Sequence, residues 1–267
     1  MPTSPFVSVR NLSHAYATPT GPVDALDDIS FDLGRGEFIA VVGPSGCGKT
    51  TLLLAVAGLL RASAGAVTIA GNRVAEPFTD VGIVFQDPVL LDWRDVLANV
   101  MVQADVRGLD RATLRERSRA LLARVGLEGF EHRHPWELSG GMRQRVSLCR
   151  ALVHEPPLLL MDEPFGALDA LTREQMNLDL QDLWLARRPG VLFVTHAIDE
   201  AVFLANRVIV MTPRPGRIAA EIAIDLPRPR HPEMREWPAF AQATRRIRDY
   251  FASWGVLRDR AAAEAIL

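Results

Sequence analysis

Gly43-Pro44-Ser45-Gly46-Cys47-Gly48-Lys49-Thr50 fits the pattern GxxxxGK[ST] at every fixed position. This loop constrains the fold more than any other feature. It works where a strand delivers the chain and a helix leaves it, with the helix N-terminus facing an anion. Phe38-Ile39-Ala40-Val41-Val42 reads as the buried strand, and Thr51 to Leu60 as the apolar-rich helix. Glycine lacks a Cβ, so backbone N–H groups can crowd around phosphate oxygens. Lys49 supplies a mobile cation for β- and γ-phosphates, and Thr50 a hydroxyl for Mg²⁺. The stretch therefore implies a bound nucleoside triphosphate.

The rest of the chain suits an α/β fold. Phe6 to Leu12, Ala66 to Ile69 and Val81 to Phe85 look like strands. From about Val96 to His154 the pattern turns helical. Within it Arg111 to Val125 is amphipathic, with Leu114, Leu121, Leu122 and Val125 on one face. Leu158-Leu159-Leu160-Met161 returns to a buried strand, Ala170 to Arg188 to a helix, and Val191 to Val194 and Arg207 to Met211 to strands. Alternation of this kind implies a mostly parallel sheet covered on both faces, with the helical middle inserted. The tail from about Pro238 reads as one or two amphipathic helices, Phe240 to Tyr250 for example, and as a packing arm in its simplest role.

Bulk properties narrow the partners. The 267 residues suit one large domain or two small ones. A formal net charge of -2 gives nothing global that points to nucleic acid or an anionic membrane surface. The two cysteines, Cys47 and Cys149, suggest neither a disulfide framework nor a zinc cluster. The start, Met1-Pro2-Thr3-Ser4-Pro5, shows no signal peptide. No apolar run approaches the ~20 residues needed to cross a bilayer. Work at a membrane would need another chain to hold this one there.

Asp162-Glu163 follows an apolar strand, at the end where parallel sheets hold ligands. Asp162 is placed to hold Mg²⁺, and Glu163 to polarise the water that attacks the γ-phosphorus. In Leu138-Ser139-Gly140-Gly141-Met142-Arg143-Gln144-Arg145, Ser139 is a good N-cap. Met142, Val146, Cys149 and Val153 then share a helical face, and the two glycines leave the first N–H groups open to an anion.

Ser139 to Arg145 resembles the signature motif of ATP-binding cassette (ABC) ATPases. In family order the chain also carries a Q-loop glutamine (Gln86), Walker B (Leu158 to Glu163), a D-loop (Ala167-Leu168-Asp169) and a switch histidine (His196). The resemblance spans roughly residues 6 to 230. It implies a RecA-like P-loop NTPase core at about 1–90 and 156–235, with an N-terminal antiparallel β subdomain. A helical subdomain would be inserted at about 91–155, and a helical tail would cover 236–267. It further implies that two copies pack head to tail around ATP, with Ser139, Gly140 and Gly141 touching the γ-phosphate held by the partner's loop. Thr51 would join the loop residues at the nucleotide, and Tyr16 would stack on adenine. Gln86 would reach Mg²⁺ and the attacking water, His196 the γ-phosphate, and Asp169 the dimer seam.

Several stretches look like the nitrate/sulfonate/taurine importer branch. They include Val84-Phe85-Gln86-Asp87-Pro88, Leu90-Leu91-Asp92-Trp93-Arg94 and Leu226-Pro227-Arg228-Pro229-Arg230. Asp92 stands where that branch usually has proline, and Ala197 where aspartate is common. The branch implies integral membrane permease subunits as partners, a periplasmic or extracellular solute-binding protein beyond them, and no nucleic acid. It places the chain peripherally on the cytoplasmic face of the bacterial inner membrane. A soluble P-loop kinase would explain the loop and Asp162, but not Ser139 to Arg145 or His196. ABC ATPases acting on DNA or ribosomes usually carry two cassettes or a long coiled coil, which this chain lacks.

Overall fold

A computed structural model describes residues 5–256. Two stretches lie outside it: Met1 to Ser4, which belong to the start read for a signal peptide, and 257–267, the end of the expected tail. The chain forms two compact units, one of residues up to Phe78 with those from Leu192 onward, the other Thr79–Val191.

The first unit opens with β1 (Val7–Thr18) and β2 (Gly21–Leu33), an antiparallel hairpin closed where Thr18 pairs with Gly21. Residues 17–23 are therefore strand on both sides of a tight turn. Both strands run further than their hydrophobic pattern. Register shifts near Leu12 and His14 break the period-2 alternation of β1. Asp24, Asp27 and Asp28 interrupt that of β2. Next come β3 (Phe38–Val42), buried throughout, and α1 (Lys49–Val56). The helix starts two residues before the expected Thr51 and stops short of Leu60, because the chain turns at Gly58 with φ 72°. β4 (Ala64–Ile69) and β5 (Asn72–Arg73) complete an antiparallel sheet in the order β2-β1-β4-β5.

The second unit starts with β6 (Val81–Val84) and continues through α2 (Val96–Val100), α3 (Val102–Arg107), α4 (Arg111–Arg124), a 3-10 turn (Pro135–Glu137) and α5 (Gly140–Leu152). Carboxylates cap two of these helices. Asp95 accepts from the Ala98 N–H at 2.7 Å and Asp110 from the Thr113 N–H at 2.7 Å. On α4, Leu114 and Leu122 are buried and Leu121 is half-buried. Along α5, Val146 and Cys149 are buried, and Met142 at its start is half-buried. Burial, with a smaller push from Asp179, raises the Cys149 thiol to about 12, so it packs as an apolar group. β7 (Leu158–Asp162) pairs in parallel with β6, and α6 (Ala170–Arg187) follows. Leu158 to Met161 are 0–1% exposed. At about 1.5–3 kcal/mol for each buried apolar side chain, these four residues fix the strand that ends at Asp162.

The chain re-enters the first unit along β8 (Gly190–Thr195), then forms α7 (Ile198–Leu204), β9 (Arg207–Met211), β10 (Ile218–Ala223), a 3-10 turn (Pro232–Glu236) and α8 (Pro238–Ser253). β3 and β9 are parallel, from Ile39 opposite Arg207 to Val42 opposite Val210. The strand order here is β10-β9-β3-β8. β10 is antiparallel to β9, an edge strand with no sequence signal, because only Ile222 in it is buried. α8 buries Phe240, Ala243, Ile247 and Phe251 on one face, as a packing arm does. Among the described residues no helix is long and apolar enough to cross a membrane.

Candidate nucleotide site

In the first unit the loop from Gly43 to Thr50 joins β3 to α1. Gly48 is the α1 N-cap, at φ 101° and ψ 11°, a left-handed conformation. A Cβ on Gly48 would lie 2.6 Å from the Ala25 carbonyl oxygen, so neither the dihedral nor the space admits a side chain. Gly48→Ala should cost roughly 1–3 kcal/mol in backbone strain alone. At about 2–4 °C per kcal/mol for a chain of this size, calorimetry without nucleotide should register a lower Tm. An unchanged Tm would mean that the loop relaxes around the methyl group. Gly46 is also left-handed, Cys47 is buried, and Pro44, Ser45 and Thr50 lie at the surface side of the turn. The Lys49 ammonium donates to the Gly43 carbonyl at 2.9 Å and the Pro44 carbonyl at 3.1 Å. Lys49 is only 6% exposed, so its charge is held at the loop.

The structure brings Tyr16 to this loop's helix. Its hydroxyl is 3.1 Å from Thr51 Oγ1, and its ring meets His14 edge-on at 4.6 Å between centroids. Tyr16 is 41% exposed, so part of its side chain reaches solvent beside the N-terminal turn of α1. His196 lies in the same unit, exposed, between β8 and α7.

The second unit holds the other candidates. Asp162 ends β7 and is 8% exposed. Glu163 follows at φ 45°, a region costly for a residue with a Cβ and common at functional sites. A tight turn maintains it. The Gly166 N–H donates to the Glu163 carbonyl at 3.1 Å, and Arg173 donates to the Phe165 and Leu168 carbonyls at 3.3 and 2.7 Å. Asp169 caps α6 by accepting from the Thr172 N–H at 3.0 Å. Hydrogen bonds from Thr172 hold its carboxyl below the usual range.

Ser139 caps α5, its hydroxyl accepting from the Met142 N–H at 3.3 Å. A Cβ on Gly140 would meet nothing within 4 Å, whereas one on Gly141 would lie 2.7 Å from Thr172 Cγ2. Gly140 therefore leaves the helix end open, and Gly141 lets α6 approach it. Gln86 and Gly140 line one cleft of about 430 Å³ with Arg143, Gln144, Pro164 and Leu168. Gln86 itself is exposed.

Sequence reasoning missed the residues that hold these groups. Gln144 Nε2 donates to the Phe85 carbonyl at 3.3 Å, and Arg150 donates to the Pro88 and Val89 carbonyls at 2.7 and 2.8 Å. One helix, α5, thus carries both the Ser139 end and the segment around Gln86. Asn99, 0% exposed, accepts from the Leu91 N–H at 2.8 Å and donates to the Leu91 and Arg94 carbonyls, both at 3.0 Å. It shapes the turn that presents Asp92 and Trp93. A polar residue inside an apolar helix run was the one available signal for it.

A glycine-walled turn between a buried strand and a helix, with a lysine folded over its carbonyls, defines a P-loop nucleotide-binding protein. The family model described as ABC transporter matches residues 26–166. The taurine import ATP-binding protein TauB of Rhizobium johnstonii is 46% identical over 245 residues, 90% of this chain and 93% of the relative. TauB of Burkholderia pseudomallei (strain K96243) is 46% identical over 219 residues, 82% of this chain and 84% of the relative. A bacterial ABC transporter cassette solved as a dimer superposes with a TM-score of 0.73 at 29% identity, covering 82% of this chain and 98% of that one. Its post-hydrolysis dimer, bound to ADP and Pi, matches equally well, with a TM-score of 0.73. The chain belongs to the ABC transporter family of ATP-binding proteins.

Proposed function

We propose that this chain is the ATP-binding and ATP-hydrolysing subunit of an importer in the taurine, nitrate and sulfonate branch. Two copies would enclose ATP between them, and a membrane permease would use their opening and closing. The observation that carries this reading is a pair of anion-ready helix ends in one chain: the cradle at α1, and the Ser139-capped end of α5 with open space at Gly140. A single nucleotide needs only the first.

The residues fit their expected ligands. Left-handed glycines at 46 and 48 leave backbone N–H groups exposed to triphosphate oxygens. Thr50, Gln86 and Asp162 offer only oxygen donors from hydroxyl, amide and carboxylate, the set that suits Mg²⁺, which would supply charge neutralisation at the phosphates. In the proposed mechanism Lys49 neutralises β- and γ-phosphate charge, Glu163 accepts the proton of the attacking water, and His196 contacts the γ-phosphate. Tyr16 stacks on adenine, Gln86 orients the water and Asp169 lies on the seam between copies. Ser139, Gly140 and Gly141 complete the other copy's site, so turnover waits for closure. Within the chain we assign the core to about 1–90 and 156–235, the helical subdomain to about 91–155 and the tail to 236–267.

The relatives named for taurine import support a small sulfonate-type anion as the cargo. An extracytoplasmic solute-binding protein would deliver it to the permease. This subunit would then sit peripherally on the cytoplasmic face of the inner membrane. Co-purification from the source cell in mild detergent tests the assignment. A multi-span membrane protein should accompany the chain, and its absence at every detergent strength would turn the reading toward a soluble ATPase.

A further inference from the structure

Leu226-Pro227-Arg228-Pro229-Arg230 stands out in the sequence, and none of the roles above uses it. Arg230 is among the most buried residues of the protein, at 1% exposure. Its Nη1 donates to the carbonyls of Val202, Phe203 and Ala205 at 2.8, 2.9 and 2.8 Å. Arg228 donates to the Leu204 carbonyl between them. These are the carbonyls at the end of α7, which have no partner inside the helix. Two guanidinium groups from the same short segment supply partners, and their positive charge suits a helix C-terminus. Burial and the neighbouring Arg228 push Arg230 down to about 9, which leaves it a cation at neutral pH.

α7 has seven residues. A helix so short does not hold itself in water and depends on its neighbours. The C-terminal segment grips it at further points. Arg235 lies over the Phe203 ring at 5.3 Å, and Arg248 approaches Asp199 at 3.9 Å near the start of the helix. That start is tied to His196. The Thr195 hydroxyl donates to Glu200 Oε2 at 2.8 Å and accepts from the Ala197 N–H at 3.0 Å. Glu200 is on α7 and 4% exposed. The residues on either side of His196 are therefore fastened to α7, and α7 is fastened by Arg228 and Arg230. A shift of the helix must move the histidine.

We infer that Arg230, assisted by Arg228, is a positioning residue for hydrolysis, setting His196 through α7 and the Thr195–Glu200 bond. The inference rests on the reading that His196 contacts the γ-phosphate. Neither arginine touches nucleotide, so ATP affinity should be spared. The turnover rate should suffer, because a misplacement of about 1 Å at a catalytic contact can cost roughly 10²-fold in rate.

The test measures kcat and KM for ATP in full-length Arg230→Met, Arg230→Lys and Arg228→Met, each with His196 intact and with His196→Ala. With His196 intact, Arg230→Met should lower kcat roughly 10–100-fold. Its KM should stay within about twofold, the signature of a group that matters in the transition state. In the His196→Ala background the same change should cost less than about twofold, because residues acting as one unit are not additive. Lysine at 230, with three donors on a compact head, should restore part of the rate. Arg228→Met should show a weaker loss of the same kind. Should Arg230→Met not fold, the Lys and Arg228 variants decide. Equal losses in both backgrounds, or a loss confined to KM, would reduce the clamp to a prop for the fold and overturn the inference. If His196→Ala hydrolyses ATP at the parent rate, the reading of His196 fails first and takes the inference with it.

Discussion

Glu163→Gln should slow ATP hydrolysis by roughly 10²–10⁴-fold, the usual worth of a general base. The substitution keeps the shape of the side chain and removes its capacity to accept a proton. The backbone should not object, because the strain at φ 45° belongs to any residue with a Cβ, and the Gly166-to-Glu163 and Arg173 hydrogen bonds are made by main-chain carbonyls. Lys49, the left-handed glycines and Ser139 are untouched, so nucleotide should still bind. ATP that binds and is not consumed should hold two copies together. The variant should therefore elute as a dimer in ATP and as a monomer in ADP, while phosphate release nearly stops. Near-parent turnover would remove Glu163 from the role of base. A slow variant that never dimerises would separate the base from the shared site.

The parts that were legible in the sequence are those whose chemistry is packed into consecutive residues. Gly43 to Thr50, Asp162-Glu163 and Ser139 to Gly141 each need a fixed local spacing, and each falls at a strand end or helix start as that spacing requires. β3 and β7 were legible because strands buried on both faces read as unbroken apolar runs. β2 was not, because Asp24, Asp27 and Asp28 break its apolar alternation, and bulges in β1 shift the register against which it would be read. In β10 only Ile222 is buried, the other five residues being half-buried or exposed, and the strand leaves no pattern.

The supports of the site were illegible for a different reason. Arg230 meets Val202, 28 residues away in sequence, and Gln144 meets Phe85, 59 residues away. Both use a side chain to satisfy a backbone carbonyl, and a carbonyl has no residue identity. No composition or periodicity at the acceptor end announces such a bond. Asn99, Arg150 and Arg173 act in the same way on Leu91, Pro88 and Phe165. The groups expected to touch nucleotide could be named from the chain, whereas the frame that aims them emerges only once the fold has closed the loops.

Ser139→Arg tests the remaining half of the site. Ser139 donates no catalytic proton in this reading. It caps α5 through the Met142 N–H and, with Gly140, presents an uncovered helix end. Losing the cap alone costs about 1 kcal/mol, which a folded chain of this size tolerates. Ser139→Ala measures that share: a slightly lower Tm with turnover reduced but present. Arginine at the same position adds a long side chain over the opening at Gly140, where the terminal phosphate held by the other copy must enter. Turnover should fall below detection, while ATP binding by the isolated subunit, governed by Lys49 and the glycine loop, stays near that of the parent. The decisive measurement mixes Ser139→Arg with a second chain that binds ATP poorly, such as Lys49→Ala. In a head-to-tail pair of one of each, the intact loop of the first chain faces the intact Ser139 end of the second, so one of the two sites is whole. Recovered hydrolysis in the mixture, from two chains each inactive alone, is the expected result. If the mixture stays silent although the mixed dimer forms, or if Ser139→Arg hydrolyses ATP as fast as the parent, the shared site does not exist.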